Sequence, residues 1–272
     1  MRARTIASGA FAILGVALIG ISLCGDLTPV SSHPLAKKGL IHKQGLVYRG
    51  PAAAKKTLAA NAVAAEADPY RLTEIFAANI VHYWTEGSGA DPALHYAPSE
   101  NWGLFLVTKL EGVMAEHVGW PKSRRFSHLE RWGWKRILEK GVGFCSQAAI
   151  ALATYLQEQG IETEVVGLGG HVVAVANMGG AEYVLDPDYN VVLPHDLERL
   201  EVAPKMVIGA YSAAGVDHRE ARRIAGIFGA DGNHRGYATH ARIGHQVAQT
   251  LKYIIPALMV VAGMLLLRRA RG

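Results

Sequence analysis

Two long apolar runs bracket the chain, and between them the patterning changes from helical to extended and back. Ile6 to Cys24 is nineteen residues in which only Ser8 and Ser22 are polar, long enough at about 1.5 Å per residue to cross a hydrocarbon core of about 30 Å. Tyr253 to Leu267 is a second run of fifteen, interrupted by Pro256 and extended by Leu251 if a snorkelling Lys252 is tolerated. The pattern predicts an N-terminal transmembrane anchor or signal over 5–24 and a C-terminal transmembrane helix over 251–268. Arg2 and Arg4 before an apolar stretch also suit a cleaved secretory signal, but Ser22-Leu23-Cys24-Gly25 is a poor cleavage site and a poor lipoprotein box.

Residues 25–60 carry Pro29, Pro34, Pro51 and several glycines with little periodicity, and read as a tether. Asp68-Pro69 then starts a helix, with Leu72, Ile75, Phe76, Ile80 and Tyr83 recurring every three or four residues. A polar, glycine-containing loop leads to a second helix starting at Ser99 and running through Leu104, Leu110 and Val113. Ser127 and Glu130 form a capping box for a third helix that stops near Lys140-Gly141. Cys145 opens a fourth, carrying Ala149, Leu152 and Leu156 and closing at Gly160. Strand-like segments follow at Ile161–Leu168, His171–Asn177 and Glu182–Asp186, with Gly179-Gly180 between the last two. Beyond Val191 only a helix around Arg219 to Ile227 stands out. The prediction is an α+β domain over 61–210, with its core at 128–192, followed by a juxtamembrane region over 211–250. No internal repeat is evident.

Composition narrows the class. Half of the 272 residues are apolar and 19% are charged, which argues against disorder, and roughly 225 residues between the runs suit one domain. Cys24 lies in the first run, so Cys145 has no partner for an intradomain disulfide. The net charge of +5 belongs to the tails: without Arg2, Arg4, Arg268, Arg269 and Arg271 the chain has 23 basic and 23 acidic residues. A nucleic-acid reader carries its excess on the folded domain, so that class is excluded. The same tail charges predict cytoplasmic termini, an extracytoplasmic domain (periplasmic or cell surface) and contact with membrane lipid, against a weaker pull from Lys37, Lys38 and Lys43.

Cys145 is the candidate nucleophile. A thiol at a helix N-terminus beside an imidazole loses its proton more readily than free cysteine, and Gly141 and Gly143 let the backbone turn and a substrate approach. A two-residue turn at Gly179-Gly180 pairs Met178 with Ala181 and sets Asp186 opposite Val173. Alternation then puts His171, Val173 and Asp186 on one face, where the carboxylate can reach one ring nitrogen and leave the other for a thiol. A four-residue loop keeps this parity and an odd loop reverses it. Asp188 shares the parity and is a rival orienter, although Pro187 tends to end the ladder before it.

Gly141-Val142-Gly143-Phe144-Cys145 with Ala148, the Gly160-Ile161 exit, Gly170-His171-Val172 and Tyr183-Val184-Leu185-Asp186-Pro187 together resemble the transglutaminase-like branch of the papain-like cysteine enzymes over about 50 residues. The resemblance implies a transglutaminase-like fold, with a cysteine-bearing helix packed on an antiparallel sheet, and a catalytic triad of Cys145 as nucleophile, His171 as base and Asp186 as orienter. It implies an acyl-thioester on Cys145, formed from a peptide or protein amide or from cell-envelope material and passed to water, as in a cysteine protease or amidase, or to an amine, as in an acyltransferase. The Cys145 N–H and one of Trp132, Trp134 or Gln147 are the candidate oxyanion donors. A noncatalytic binding module of the same fold and an assembly component of a membrane complex are the alternatives.

No cofactor or metal is expected. His218, His234, His240 and His245 fit no common zinc spacing, and Gly226-Ile227-Phe228-Gly229 with Gly232 lacks the ending of a phosphate loop. Arg219, Arg222 and Arg223 read as the solvated face of a helix, with anionic lipid headgroups as the alternative contact.

Overall fold

The computed structural model describes residues 2–30, 46–60, 68–82, 96–118, 130–229, 233 and 235–271. The helices in chain order are α1 (Arg2–Leu27), α2 (Pro51–Ala60), α3 (Pro69–Asn79), α4 (Trp102–His117), α5 (Trp134–Lys140), α6 (Cys145–Glu158), α7 (Leu197–Val202), α8 (Pro204–Ala213), α9 (His218–Phe228) and α10 (Ala238–Arg271). The strands are β1 (Val81–His82), β2 (Val142–Gly143), β3 (Thr163–Leu168), β4 (His171–Met178), β5 (Ala181–Asp186) and β6 (Val191–Leu193). The chain is mixed α+β and divides into two compact units, one holding α4 and both terminal apolar helices, the other holding everything from α2 to β1 and from α5 to α9.

In the second unit β3, β4, β5 and β6 form an antiparallel sheet in that order. Gly179 and Gly180, with φ of 62° and 80°, form the turn joining β4 to β5, and Met178 pairs with Ala181 as the glycine pair predicts. Helices cover both faces. Val165, Val172, Ala174, Ala176 and Leu185 share one core with Leu152, Leu156, Phe76 and Leu58 from α6, α3 and α2. Val166, Val173, Val175 and Val184 share another with Leu200, Val207, Tyr211, Ile224 and Phe228 from α7, α8 and α9. That second layer explains why β4 is apolar at nearly every position, since a strand covered on both sides has no solvent face to alternate with.

Local chemistry sets the helix ends. Asp68 caps α3 by accepting from the Tyr70 N–H at 2.9 Å, with Pro69 in the first turn, where its missing N–H costs nothing. Asp217 caps α9 through the Arg219 and Glu220 N–H groups, and α9 runs close to the expected Arg219–Ile227. Arg219, Arg222 and Arg223 lie on its exposed side.

Several expectations need correcting. Residues 51–60 of the expected tether form α2, whose Ala54 and Leu58 are buried in the core. The second helix is capped by Asn101, which accepts from the Leu104 N–H, and Ser99 lies before it in a turn. The third helix begins at Trp134, because Gly133 adopts φ 95° and residues 130–132 are not helical; its expected start, Ser127, lies outside the described residues. So do Pro34, Lys37, Lys38, Lys43, Tyr83, Gly232 and His234.

Among the described residues two helices are long and apolar enough to cross a membrane, over Ile6–Leu27 and Ala241–Ala270. They approach through small residues: a side chain at Gly15 would meet the Pro256 carbonyl at 2.6 Å, and one at Gly263 would meet Ala12 at 2.8 Å. Lys252 does not snorkel to solvent. It is 2% exposed, and its ammonium donates to Asp26 Oδ1 at 2.6 Å.

Candidate active site

Three elements converge on Cys145. α5 ends at Gly141, and β2 carries the chain directly into Phe144 and the first turn of α6. Gly143 must be glycine, since a side chain there would sit 2.5 Å from the β-carbon of Gln147. Cys145 is the first helical residue, so its N–H has no acceptor within the helix and the positive end of the helix dipole lies at the sulfur. The thiol is partly exposed and unpaired as a disulfide.

His171, the first residue of β4, meets this thiol. Its Nε2 lies 2.7 Å from Asp186 Oδ2, with the two side chains 4% and 0% exposed. The side chain of Cys145 is a further hydrogen-bonding neighbour of the ring. Burial works against a charged imidazole, but the Asp186 carboxylate, its hydrogen bond and the smaller contribution of Cys145 outweigh it and hold His171 well above its ordinary value. The three residues expected from sequence are therefore together, in the order sulfur, imidazole, carboxylate.

Asp186 is fully engaged. Oδ1 accepts from the Asp188 N–H at 2.9 Å and the Tyr189 N–H at 3.2 Å, while Oδ2 accepts from the Tyr211 hydroxyl at 2.6 Å. Tyr211 is buried in α8, and burial followed by the Asp186 charge pushes its hydroxyl well up, so it stays a donor. Tyr189 stands edge-on to the His171 ring at 5.4 Å and donates to Glu220 Oε1 at 2.8 Å. Glu220 is in turn gripped by Arg223 through two nitrogens, the main reason its carboxyl lies below the usual range. A chain of side chains thus runs from α9 to the imidazole.

Asp188, the rival orienter, serves another histidine. Its Oδ2 lies 2.6 Å from Nδ1 of His82, a residue the sequence reading did not select. β1 pairs in parallel with β2, His82 opposite Gly143, and the His82 ring stands edge-on to Phe144 at 6.3 Å. A second histidine–carboxylate pair, partly buried, therefore lies beside β2 and Phe144.

No family model, curated protein or solved structure matches this chain. The site's chemistry rests on its own geometry. Of the candidate oxyanion donors, Gln147 is occupied, its amide bonding both the N–H and the carbonyl of Arg131. Trp134 packs in the core, edge-on to Tyr155, while Trp132 is half-buried under the Arg242 guanidinium at 6.0 Å.

Two further groups lie near the thiol. Glu130, expected to cap a helix, is instead partly buried and bonded to Ser146; desolvation raises its carboxyl to about 7 against the smaller opposing effect of that bond. Tyr237 packs against Gly167, and burial, then Glu130 and Cys145, push its hydroxyl up to about 12. His245 bonds the Tyr96 hydroxyl at 3.1 Å. Among the described residues no three of His, Cys, Asp or Glu come together as metal ligands would.

Proposed function

We propose that the chain is a membrane-anchored, extracytoplasmic thiol enzyme of the transglutaminase-like kind, forming an acyl-thioester on Cys145 from a peptide or envelope amide. The observation that carries this reading is the buried 2.7 Å contact between His171 and Asp186, with the Cys145 side chain hydrogen-bonded to the same imidazole. Asp186 stabilises the imidazolium, and the imidazolium together with the start of α6 stabilises a thiolate. The thiolate attacks the amide carbon, and the negative oxygen of the tetrahedral intermediate is met by the Cys145 N–H. His171 gives its proton to the departing amine as the C–N bond breaks. It then takes a proton from water or an incoming amine, whose attack releases the acyl group and restores the thiol. The orientation follows from the arginines outside each apolar helix, Arg2 and Arg4 at one end and Arg268, Arg269 and Arg271 at the other.

The test is alkylation of Cys145 with iodoacetamide across pH, on the full chain in membranes with Cys24 replaced by Ala. An active pair alkylates readily at neutral pH, and His171→Ala slows the reaction many-fold. A thiol inert in a folded chain, or one indifferent to His171→Ala, overturns the enzyme and favours the binding module.

A further inference from the structure

The helix α4 is largely polar on its buried side and apolar on its outward side. Asn101, Leu104, Thr108 and Glu111 form its buried stripe. On the opposite side Leu106, Leu110 and Val113, at steps of four and three, are 55%, 59% and 54% exposed. Lys109 does not break that side, because its ammonium reaches back over the Phe105 ring at 5.8 Å. A helix that keeps its polar residues inward and turns an apolar face outward is stable only where that outward face is removed from water.

The start of α4 is tied to both terminal helices at one level. Asn101 donates to the Ala248 carbonyl at 3.0 Å, the Trp102 indole N–H donates to the Lys252 carbonyl at 3.1 Å, and the Lys252 ammonium donates to the Glu100 carbonyl at 3.2 Å. Gly25 of α1 packs so closely on Ser99 that no side chain fits. These contacts fall where the uninterrupted apolar stretch of α10 begins, at Tyr253, and where that of α1 ends. Trp102, Tyr253 and Lys252 meet there, the residue types that gather where hydrocarbon gives way to water.

We propose that the outward face of α4, formed by Leu106, Leu110 and Val113, is buried in the lipid of the bilayer that α1 and α10 cross, making α4 a third membrane-contacting element. The inference rests on reading those two helices as spans. Bilayer lipid is the occupant because the face is continuous with an anchorage shared by both, and because it is apolar over three successive contacts without a charge. With sixteen residues, α4 is about 24 Å long, enough to carry all three side chains into the apolar region from that anchorage.

The experiment uses the full chain in proteoliposomes, with Cys24 and Cys145 replaced by Ala and a nitroxide on single cysteines. Labels go at Leu106, Leu110 and Val113, at Lys109 and Glu116 on the flank of α4, and at Leu258 and Met264, which are 62% and 50% exposed on α10. Power saturation compares collisions with oxygen, which partitions into lipid, and with a nickel chelate, which stays in water. The expected oxygen-to-nickel ratio at 106, 110 and 113 is several-fold above that at 109 and 116 and close to that at 258 and 264. Lipid-like ratios on α10 with water-like ratios on the α4 face overturn the proposal. So does shielding of the α4 face from both reagents, which would mark a protein partner. Water-like ratios at 258 and 264 remove the span reading itself, and the inference with it.

Discussion

The hydroxyl of Tyr211 is the most testable part of the site that no motif announced. It donates to Asp186 Oδ2 at 2.6 Å, and both residues are 0% exposed. Tyr211→Phe keeps the ring in place against Tyr189, 5.5 Å away, and removes only the donor. A hydrogen bond to a charged group contributes about 1.5–3 kcal/mol, and here no water can replace it. Taking about 2 kcal/mol, opening of the β4–β5 hairpin becomes about thirtyfold more frequent, since each 1.4 kcal/mol is a factor of about ten. Hydrogen–deuterium exchange on the full chain in micelles reads this directly, as faster exchange in peptides covering β4 and β5. Tyr189→Phe is the control. Its hydroxyl binds Glu220, a carboxylate that keeps Arg223 and touches solvent, so the cost is under about 1 kcal/mol and exchange rises fivefold or less. A Tyr211→Phe chain that exchanges like the parent, or a Tyr189→Phe chain that exchanges faster than it, would refute the reasoning.

Other consequences can be checked alongside. Glu130, raised from an ordinary 4.5 to about 7 by burial, binds more protons in the folded state than in the unfolded. Its penalty is therefore absent below about pH 4.5 and complete above about pH 7, amounting to about 3 kcal/mol; Glu130→Gln should flatten the fall in urea-unfolding stability over that range, and an unchanged slope would reject the assignment. Gly143→Ala places a methyl against the β-carbon of Gln147 and should cost about 1–3 kcal/mol in the same assay, so a neutral result would mean β2 yields more easily than its packing suggests. His82→Ala deprives Asp188 of a buried partner and should cost about 1.5–3 kcal/mol, with the coupling to Asp188→Asn in a double-mutant cycle as the measurement and zero coupling as the refutation.

The site divides into parts a sequence can disclose and parts it cannot. Helix α6 and the β4–β5 register were readable because the glycine pair fixes the turn, the turn fixes the parity, and the parity carries His171 and Asp186 to one face. Tyr211 and His82 were not, since each reaches the site from a remote segment and only the packed chain brings them there. α2 was legible in principle: Pro51 suits a first helical turn, and the alanines and lysines after it are strong helix formers, but the prolines around it suggested a tether. The unbroken apolar run of β4 likewise held the sign of a second helical layer. Glu130 does not lie in a helical first turn because the helix begins only after Gly133, at φ 95°, and its carboxyl bonds Ser146 instead.

The grip on Asp186 has a consequence for biogenesis. Its acceptors are filled from β4, from the bend at 188–189 and from α8, so the last contribution arrives some 65 residues after the sulfur in the order of synthesis. A chain stalled or clipped before residue 204 holds the cysteine and the histidine but lacks the phenol that closes the carboxylate's shell. Such a fragment would carry a slacker imidazole, so that the seating of the ring waits on a helix made later and turns on the geometry of a single acid.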